Sequence, residues 1–384
     1  MNSNGDMTMK CVQSIHKPLN LIAAAVAVLA CFTLTTRAMA ADDYLATAQK
    51  VVDAAVQPSP AWDGPTAGPK AQPDRTIVYV ASDLRNGGVL GVSDGVAQAA
   101  HVIGWKVRIL DGQGTVSGRT AAMNQAMALN PAGIILGGFD PAEQAVVIQK
   151  ARGLKIPVVG WHAGPKAGPD PATGLFTNVS TDPIAVAKVA ADYAVVKSNG
   201  TAGVVVFTDS LYKVAVAKST AMANVIKQCK GCALLAVEDT PLSETSTRIP
   251  QLSTALLQRY GAKWTYSLGI NDLYFDFMGP SLSSAGEKPA GPPFNVSAGD
   301  GSQSAYQRIR GDRYQVGTIP EPLMLHGWQL VDELNRAFAG AQPSGYSTPV
   351  HLVIRENIAS DVTSNNIYDP ANHYRDAYRR IWGK

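Results

Sequence analysis

The chain has 384 residues, 46% of them hydrophobic and 16% charged, with 33 Lys and Arg against 30 Asp and Glu and no acidic or basic tract. That is enough for one large domain or two ordinary ones with real cores. The absence of a clustered cationic face excludes nucleic acid as the expected partner.

Residues 1–40 read as a secretory signal peptide. Lys10 and Lys17 precede an apolar run over 21–32, and Ala38-Met39-Ala40 supplies a small-x-small cleavage site, so the exported chain is expected to begin at Ala41 in the periplasm. The apolar run is too short to span a bilayer. Val28-Leu29-Ala30-Cys31 has the form of a lipoprotein box, but the site just beyond it favours an unlipidated start. Nothing later is apolar enough to cross a membrane, so membrane contact is expected only through a partner. Past the leader only Cys229 and Cys232 remain, in Cys-Lys-Gly-Cys. Exported, with no second cysteine pair and no nearby His, they read as a local disulfide of modest stabilising effect.

A helix is predicted over 42–56, followed by a lead-in over 58–73 rich in Pro, Gly and Ala; together 41–74 form an N-terminal extension. From Thr76 the pattern becomes regular. Strand-like runs at 77–81, 107–110, 133–136 and 156–159 alternate with amphipathic segments at 92–103, 120–129 and 141–153, which predicts βαβ units and a parallel sheet covered by helices. Gly160, Trp161 and His162 end the fourth run, and after a Gly/Pro-rich loop the stretch 175–179 reads as the crossing into a second series. There strands are predicted at 203–207, 233–237, 264–268, 295–298 and 315–319, and helices at 215–227, 250–260, 273–284 and 304–310. A long helix over 322–338, a strand over 351–354 and a short helix over 372–382 complete the chain. Two lobes of the same grammar are the economical reading.

Three enzyme signals fail on context. Asn86-Gly87-Gly88-Val89-Leu90-Gly91 imitates a dinucleotide fingerprint but lacks its first glycine and stands four residues beyond the strand end. A glycine loop that gives a ligand or a helix close access to the backbone is the better reading. Gly91-Val92-Ser93-Asp94-Gly95 matches a hydrolase elbow, but Ser93 falls in a predicted helix. Histidines 101, 162, 326, 351 and 373 show no metal-ligand spacing, so neither a metal nor a cofactor is expected.

Polar or aromatic groups recur where strands end, the place at which open α/β sheets bind ligands. Asp83 and Asn86 follow the first strand, Phe139 and Asp140 the third, Trp161 and His162 the fourth. Asp209 and Tyr212, then Asn271 and Asp272, then Asp300 and finally Glu321 do the same in the second half. Any one of the acids or amides could be a helix cap or turn former, and His162 could be a satisfied structural histidine. Seven strand ends together predict a site lined by both lobes. Trp161, in a glycine loop with no evident core to fill, is expected to owe its burial to the ligand.

Over roughly 75–356 the sequence resembles the type I periplasmic binding proteins of ABC importers, in a ribose-binding-protein-like pattern. The carriers are Val80-Ala81-Ser82-Asp83, Asp94-Gly95, Gly133-Ile134-Ile135-Leu136, Ile156-Pro157-Val158-Val159, Asn271-Asp272, Ala298-Gly299-Asp300-Gly301 and Gly317-Thr318-Ile319-Pro320-Glu321. The resemblance implies an α/β fold of two Rossmann-like lobes joined by a three-crossing hinge, with crossings near 177–181, 317–322 and 351–354. One lobe would comprise 75–176 plus 322–350, the other 177–321 plus 351–384. It also implies that Asn271 and Asp300 hold ligand hydroxyls and that Glu321 occupies a hinge position that carries an amide in the sugar binders. Three departures bear on the ligand: His162-Ala163 replaces an Asp-Arg pair, Gly87-Gly88-Val89 replaces paired aromatics, and a helix-start arginine is missing, with Val216 near its position and Lys218 at a neighbouring, structural one. These keep a small polar ligand and argue against an ordinary aldopyranose.

The sequence therefore predicts a monomeric solute-binding protein, not an enzyme, that captures a carbohydrate or polyol by lobe closure and delivers it to an ABC transporter permease. A small amine or cation is the second ligand class, with Asp83, Asp140, Asp209, Asp272, Asp300 and Glu321 as an acidic lining and Trp161 as a cation–π face. A sensor that reports occupancy to a membrane receptor kinase is the alternative role. A dinucleotide-dependent oxidoreductase is the remaining one.

Overall fold

The computed structural model describes residues 44–384, so the expected leader and its cleavage site lie outside the described residues. Helical structure runs to residue 55 and an extended stretch leads to the first sheet. That sheet contains β1 (Thr76–Ala81), β2 (Lys106–Asp111), β3 (Gly133–Gly137), β4 (Val158–Trp161), β5 (Gly168–Asp170) and β6 (Leu175–Val179), in the order β2-β1-β3-β4-β6-β5. The second contains β7 (Gly203–Thr208), β8 (Ala233–Asp239), β9 (Tyr266–Gly269), β10 (Phe294–Ser297), β11 (Gln315–Thr318) and β12 (Val353–Ile354), in the order β12-β11-β10-β9-β7-β8. Only the edge strands β5 and β12 pair antiparallel. The two predicted α/β lobes are thus present, each a mainly parallel sheet flanked by helices.

Burial explains the strand sequences. β1 lies between β2 and β3, has helices on both faces, and is accordingly the continuous apolar run Ile77 to Ala81. β7, between β8 and β9, is buried along its whole length for the same reason. In both sheets the strand order reverses beside the first strand, between β1 and β3 and between β7 and β9. Loops leaving two such strands diverge and open a crevice.

The chain leaves the first sheet after β6 and enters the second lobe through the helix Pro183–Lys197, whose N-terminus is capped by the Asp182 carboxylate. It returns after β11 into the helix Leu323–Phe338, which packs on the helix Gly87–Ile103. Gly95 and Gly327 touch at that crossing, and a Cβ at position 327 would overlap the backbone of Gly95 and Val96. A further passage leads to β12, which pairs with β11.

Two differences from the sequence reading have physical causes. Residues 175–179, read as a crossing, form β6 and pair with β4 through Gly160 opposite Asn178 and Trp161 opposite Val179. The final helix, Tyr374–Trp382, was assigned with 351–384 to the second lobe, yet Tyr374, Tyr378, Ile381 and Trp382 lie in the core of the first. Trp382 stacks on Trp328 with ring centroids 5.4 Å apart and donates from Nε1 to Asp332 at 2.8 Å. Cys229 and Cys232 are joined by a disulfide. No helix among the described residues is long and apolar enough to cross a membrane.

Candidate functional site

A pocket lies where the two sets of strand ends face each other. The first lobe contributes Ser82, Asp83 and Asn86 after β1, Gly138 after β3, and Trp161 and His162 at the end of β4; the second contributes Tyr212 and Lys218 beyond β7, Asn271 after β9 and Asp300 after β10. These are the loops that the two topological switch points spread apart. Apolar cover comes from Val89, Val214, Leu242 and Ile270.

The lobes touch directly around this space. Lys213 of the second lobe pairs with Asp140 of the first at 2.9 Å. Arg119, fully buried in the first lobe, is held by Glu143 at 2.7 Å, reaches the Tyr212 hydroxyl of the second at 3.4 Å, and lies over the Phe139 and Tyr212 rings. The Asp300 carboxylate occupies the space that a Cβ at Gly88 would need. The glycine loop therefore serves close approach, and what approaches is the opposite lobe.

At the centre stands His162. Its backbone adopts the left-handed conformation, φ 48°, which folds the ring back onto its neighbour Trp161 at 4.1 Å and 9° between planes. Such a backbone is uncommon outside glycine and persists only where its surroundings hold it. His162 Nδ1 lies 3.7 Å from Asp300 and Nε2 3.1 Å from Glu321. Neither His162 Nε2 nor Glu321 Oε1 is aligned for a hydrogen bond, so this second contact is electrostatic. Glu321 also accepts from the Thr181 amide at 3.0 Å and faces His326 Nδ1 at 3.5 Å.

Burial sets the protonation pattern, and charge neighbours correct it. Desolvation raises the Asp300 carboxyl above its ordinary value against the pull of His162, Lys218 and the Asn271 hydrogen bond. At Glu321 burial acts in the same sense, but His162, then His326 and Lys218, outweigh it and hold the carboxyl well below the carboxylate range. Burial lowers His326 to about 4 despite Glu321, so its ring is neutral at pH 7. Burial pushes the Tyr212 phenol up to about 12, leaving it a donor.

Of the residues expected from sequence, Asp83, Asn86, Trp161, His162, Tyr212, Asn271 and Asp300 line the pocket. Glu321 lies behind His162 at the hinge. Asp140 caps the turn Pro141–Gln144 through the Ala142 amide and pairs across the cleft with Lys213. Phe139, Asp209 and Asp272 do not face the pocket. Phe139 is packed in the core beneath Arg119. Asp209 spends both oxygens on the Leu211 and Leu242 amides. Asp272 is buried on Gly301 N, Gln315 Nε2 and Thr318 Oγ1, where it braces the β9 and β10 loops. Trp161 also departs from expectation: the protein's own packing leaves it 1% exposed, because it is the last residue of β4 and belongs to the first lobe's core.

Sequence reasoning missed Arg119 and set Lys218 aside as structural. Lys218 is buried, lines the pocket, and donates from Nζ to the Ala298 carbonyl at 2.7 Å. Helical spacing could have flagged both. Lys218 shares a buried face with Ala215 and Met222, and Arg119 with Ala122, Met123 and Ala126.

Comparison with curated protein sequences finds no match. Among solved structures the fold is similar to a sugar ABC transporter protein from Yersinia enterocolitica subsp. enterocolitica 8081, with a TM-score of 0.68, 16% identity, and coverage of 81% of this chain and 95% of that one. It is also similar to the periplasmic binding protein component of the arabinose ABC transporter from Shewanella sp. ANA-3, bound to α- and β-L-arabinofuranose, with a TM-score of 0.66, 17% identity, and coverage of 79% and 97%. A third is an ABC transporter solute-binding protein from Agrobacterium vitis bound with α-D-tagatopyranose, with a TM-score of 0.67, 13% identity, and coverage of 77% and 99%. The family model described as a periplasmic binding protein domain matches residues 77–342. A match over more than half the sequence, on two sheets whose facing strand ends enclose a pocket, makes this chain a member of the periplasmic binding protein domain family.

Proposed function

We propose that the protein captures a small, uncharged, hydroxyl-rich ligand, a carbohydrate or polyol, between its lobes in the periplasm and delivers it to an ABC transporter permease. The observation that carries this reading is the charge pairing around the pocket. Asp83 is held by Arg85 at 2.7 Å, Asp140 by Lys213, Glu321 by His162 and the Thr181 amide, and Asp300 by Asn271 and His162. The acidic lining that would suit an amine already has partners. The one buried lysine among the described residues, Lys218, sits against the Gly299-Asp300 turn, where its charge offsets Asp300 and Glu321 rather than awaiting an anion.

Donors and acceptors nevertheless remain on both walls: the Tyr212 phenol, Lys218, the outer oxygen of Asp300, Asn86 and Ser82. Such alternation suits hydroxyls, which give and accept at once. The arabinofuranose and tagatopyranose held by the two related proteins are uncharged compounds of this class.

A thermal-shift screen tests the reading, since a ligand that binds only the folded chain raises its melting temperature. L-Arabinose, D-tagatose and allitol represent neutral ligands, spermidine the amines and D-galacturonate the sugar acids. Stabilisation by neutral compounds alone is expected. Stabilisation confined to amines or acids would overturn it.

A further inference from the structure

We infer that the segments flanking the family-matched region are a pair of straps across the hinge, which hold the lobes near the closed angle even without ligand. The matched region ends at residue 342 and begins at residue 77, so both segments lie outside it. Each is anchored to both lobes.

The N-terminal strap meets the second lobe first. The Ala55 carbonyl accepts from the amide of Leu352, immediately before β12, and the Ser59 hydroxyl lies 3.1 Å from the hydroxyl of Tyr368, which belongs to the second lobe's core with Tyr306, Ile309 and Val353. Three residues later Trp62 packs on the core of the first lobe, against Tyr346 and Tyr378 at 5.1 and 5.4 Å. From there the strand-like lead-in stays on that lobe, through the Arg336 guanidinium to Ala67 and the Asn335 amide to Pro69 and Gln72. The link from Ser59 to Trp62 spans at most about 11 Å when fully extended. With Pro58 and Pro60 beside it, it has little slack.

The C-terminal strap makes the same passage. Val362 and Tyr368 pack in the second lobe's core, whereas Tyr374, Tyr378 and Trp382 pack in the first. The crossing between them is stapled by Asp369, which accepts from Tyr374 at 2.9 Å and pairs with Arg375 at 2.7 Å. Three passages of chain already form the hinge, at residues 180–182, 319–322 and 339–352. Two further passages, each with buried anchors on both sides, couple any change of lobe angle to the loss of an anchor. Opening is therefore limited in range and slowed.

The test needs no ligand, so its outcome is independent of what the cleft binds. Nitroxide labels at Ser117 and Thr247, exposed residues on opposite lobes beside the contact of Gly114 with Ser243, report the lobe distance by pulsed dipolar spectroscopy. A protease recognition sequence inserted between the exposed residues Pro60 and Ala61 allows the N-terminal strap to be cut after folding. The chain without the insertion is expected to give one narrow, short distance population, and insertion followed by cutting to shift it longer and broaden it. Trp62→Ala, which removes the nearest first-lobe anchor and leaves Ala67 as the next, so that the link gains slack without a cut, is expected to act in the same direction, and it decides the matter if the cut chain unfolds. A broad, long distribution in the chain without the insertion, or identical distributions in that chain, the cut chain and Trp62→Ala protein, would overturn the proposal.

Discussion

The indole N–H of Trp161 donates to Nδ1 of His326, 3.1 Å away and 165 residues further along the chain. Because an indole can only donate, Nδ1 must accept and the imidazole proton sits on Nε2. Nε2 lies 2.9 Å from the Thr348 hydroxyl, which lies 2.6 Å from that of Thr181. A single relay thus joins the aromatic wall of the pocket to two of the hinge crossings.

Trp161 is accordingly a core residue that also faces the site. Trp161→Ala should lower unfolding free energy by about 3–5 kcal/mol, the usual cost of removing a buried large aromatic. Trp161→Phe, which keeps most of the volume and loses the hydrogen bond, should cost about 1 kcal/mol. Urea denaturation of the ligand-free proteins checks both; an alanine variant as stable as the parent would return the residue to the loop role expected from sequence.

His326 predicts a pH dependence. Its folded pKa, about 4, lies below the ordinary 6.5, so the unfolded chain binds the proton more readily. Stability from the neutral ring is complete above pH 6.5 and is lost as pH falls through 6.5 toward 4, by on the order of 3 kcal/mol. Glu333 acts in the opposite sense: burial raises it to about 7 against the Ser344 hydrogen bonds, so its contribution is present below pH 4.5 and lost as pH rises through 7. Subtracting the profile of His326→Gln isolates the histidine. The difference curve should fall with acid between pH 6.5 and 4, and a flat one would assign the acid sensitivity elsewhere.

Gly88→Ala should prop the cleft open, because the added methyl needs the space filled by the Asp300 carboxylate of the other lobe. Each lobe keeps its own core, so the melting temperature should change little. Small-angle scattering of the ligand-free variant should show a larger radius of gyration than the parent. Equal radii would mean that Asp300 moves aside at no cost.

Gly327→Ala should act on the fold instead. Its methyl would meet the backbone of Gly95 and Val96, which cannot move as a side-chain tip can. A loss of about 1–3 kcal/mol is expected from overpacking, readable as a lower urea midpoint with an unchanged slope.

The sequence by itself determined the lobes, and the reason is local. Continuous apolar runs of four or five residues rich in β-branched side chains, such as Ile77 to Ala81 and Val204 to Phe207, are too short for buried helices and read as strands buried on both faces, and their alternation with amphipathic segments specifies a parallel sheet. Strand ends then gave the neighbourhood of the site, since topology places ligands there. Where burial is complete the period vanishes. The helix Pro183–Lys197 is apolar on most of its faces, packs against the helix Lys213–Gln228 and strands β9 and β10, and left no stripe to read. The tertiary structure alone decided what each polar residue does. Asp272 and Asp300 look alike as acids after strands, yet one braces loops from within and the other faces the pocket, because Gln315 and Thr318, from β11, reach the first and not the second. It likewise moved Trp161 from a loop into a strand through pairing with Val179, and carried the final helix back to the first lobe through contacts with Trp328 and Asp332. Each of these joins residues distant in sequence, and no local pattern of side chains encodes which distant partner a group will meet.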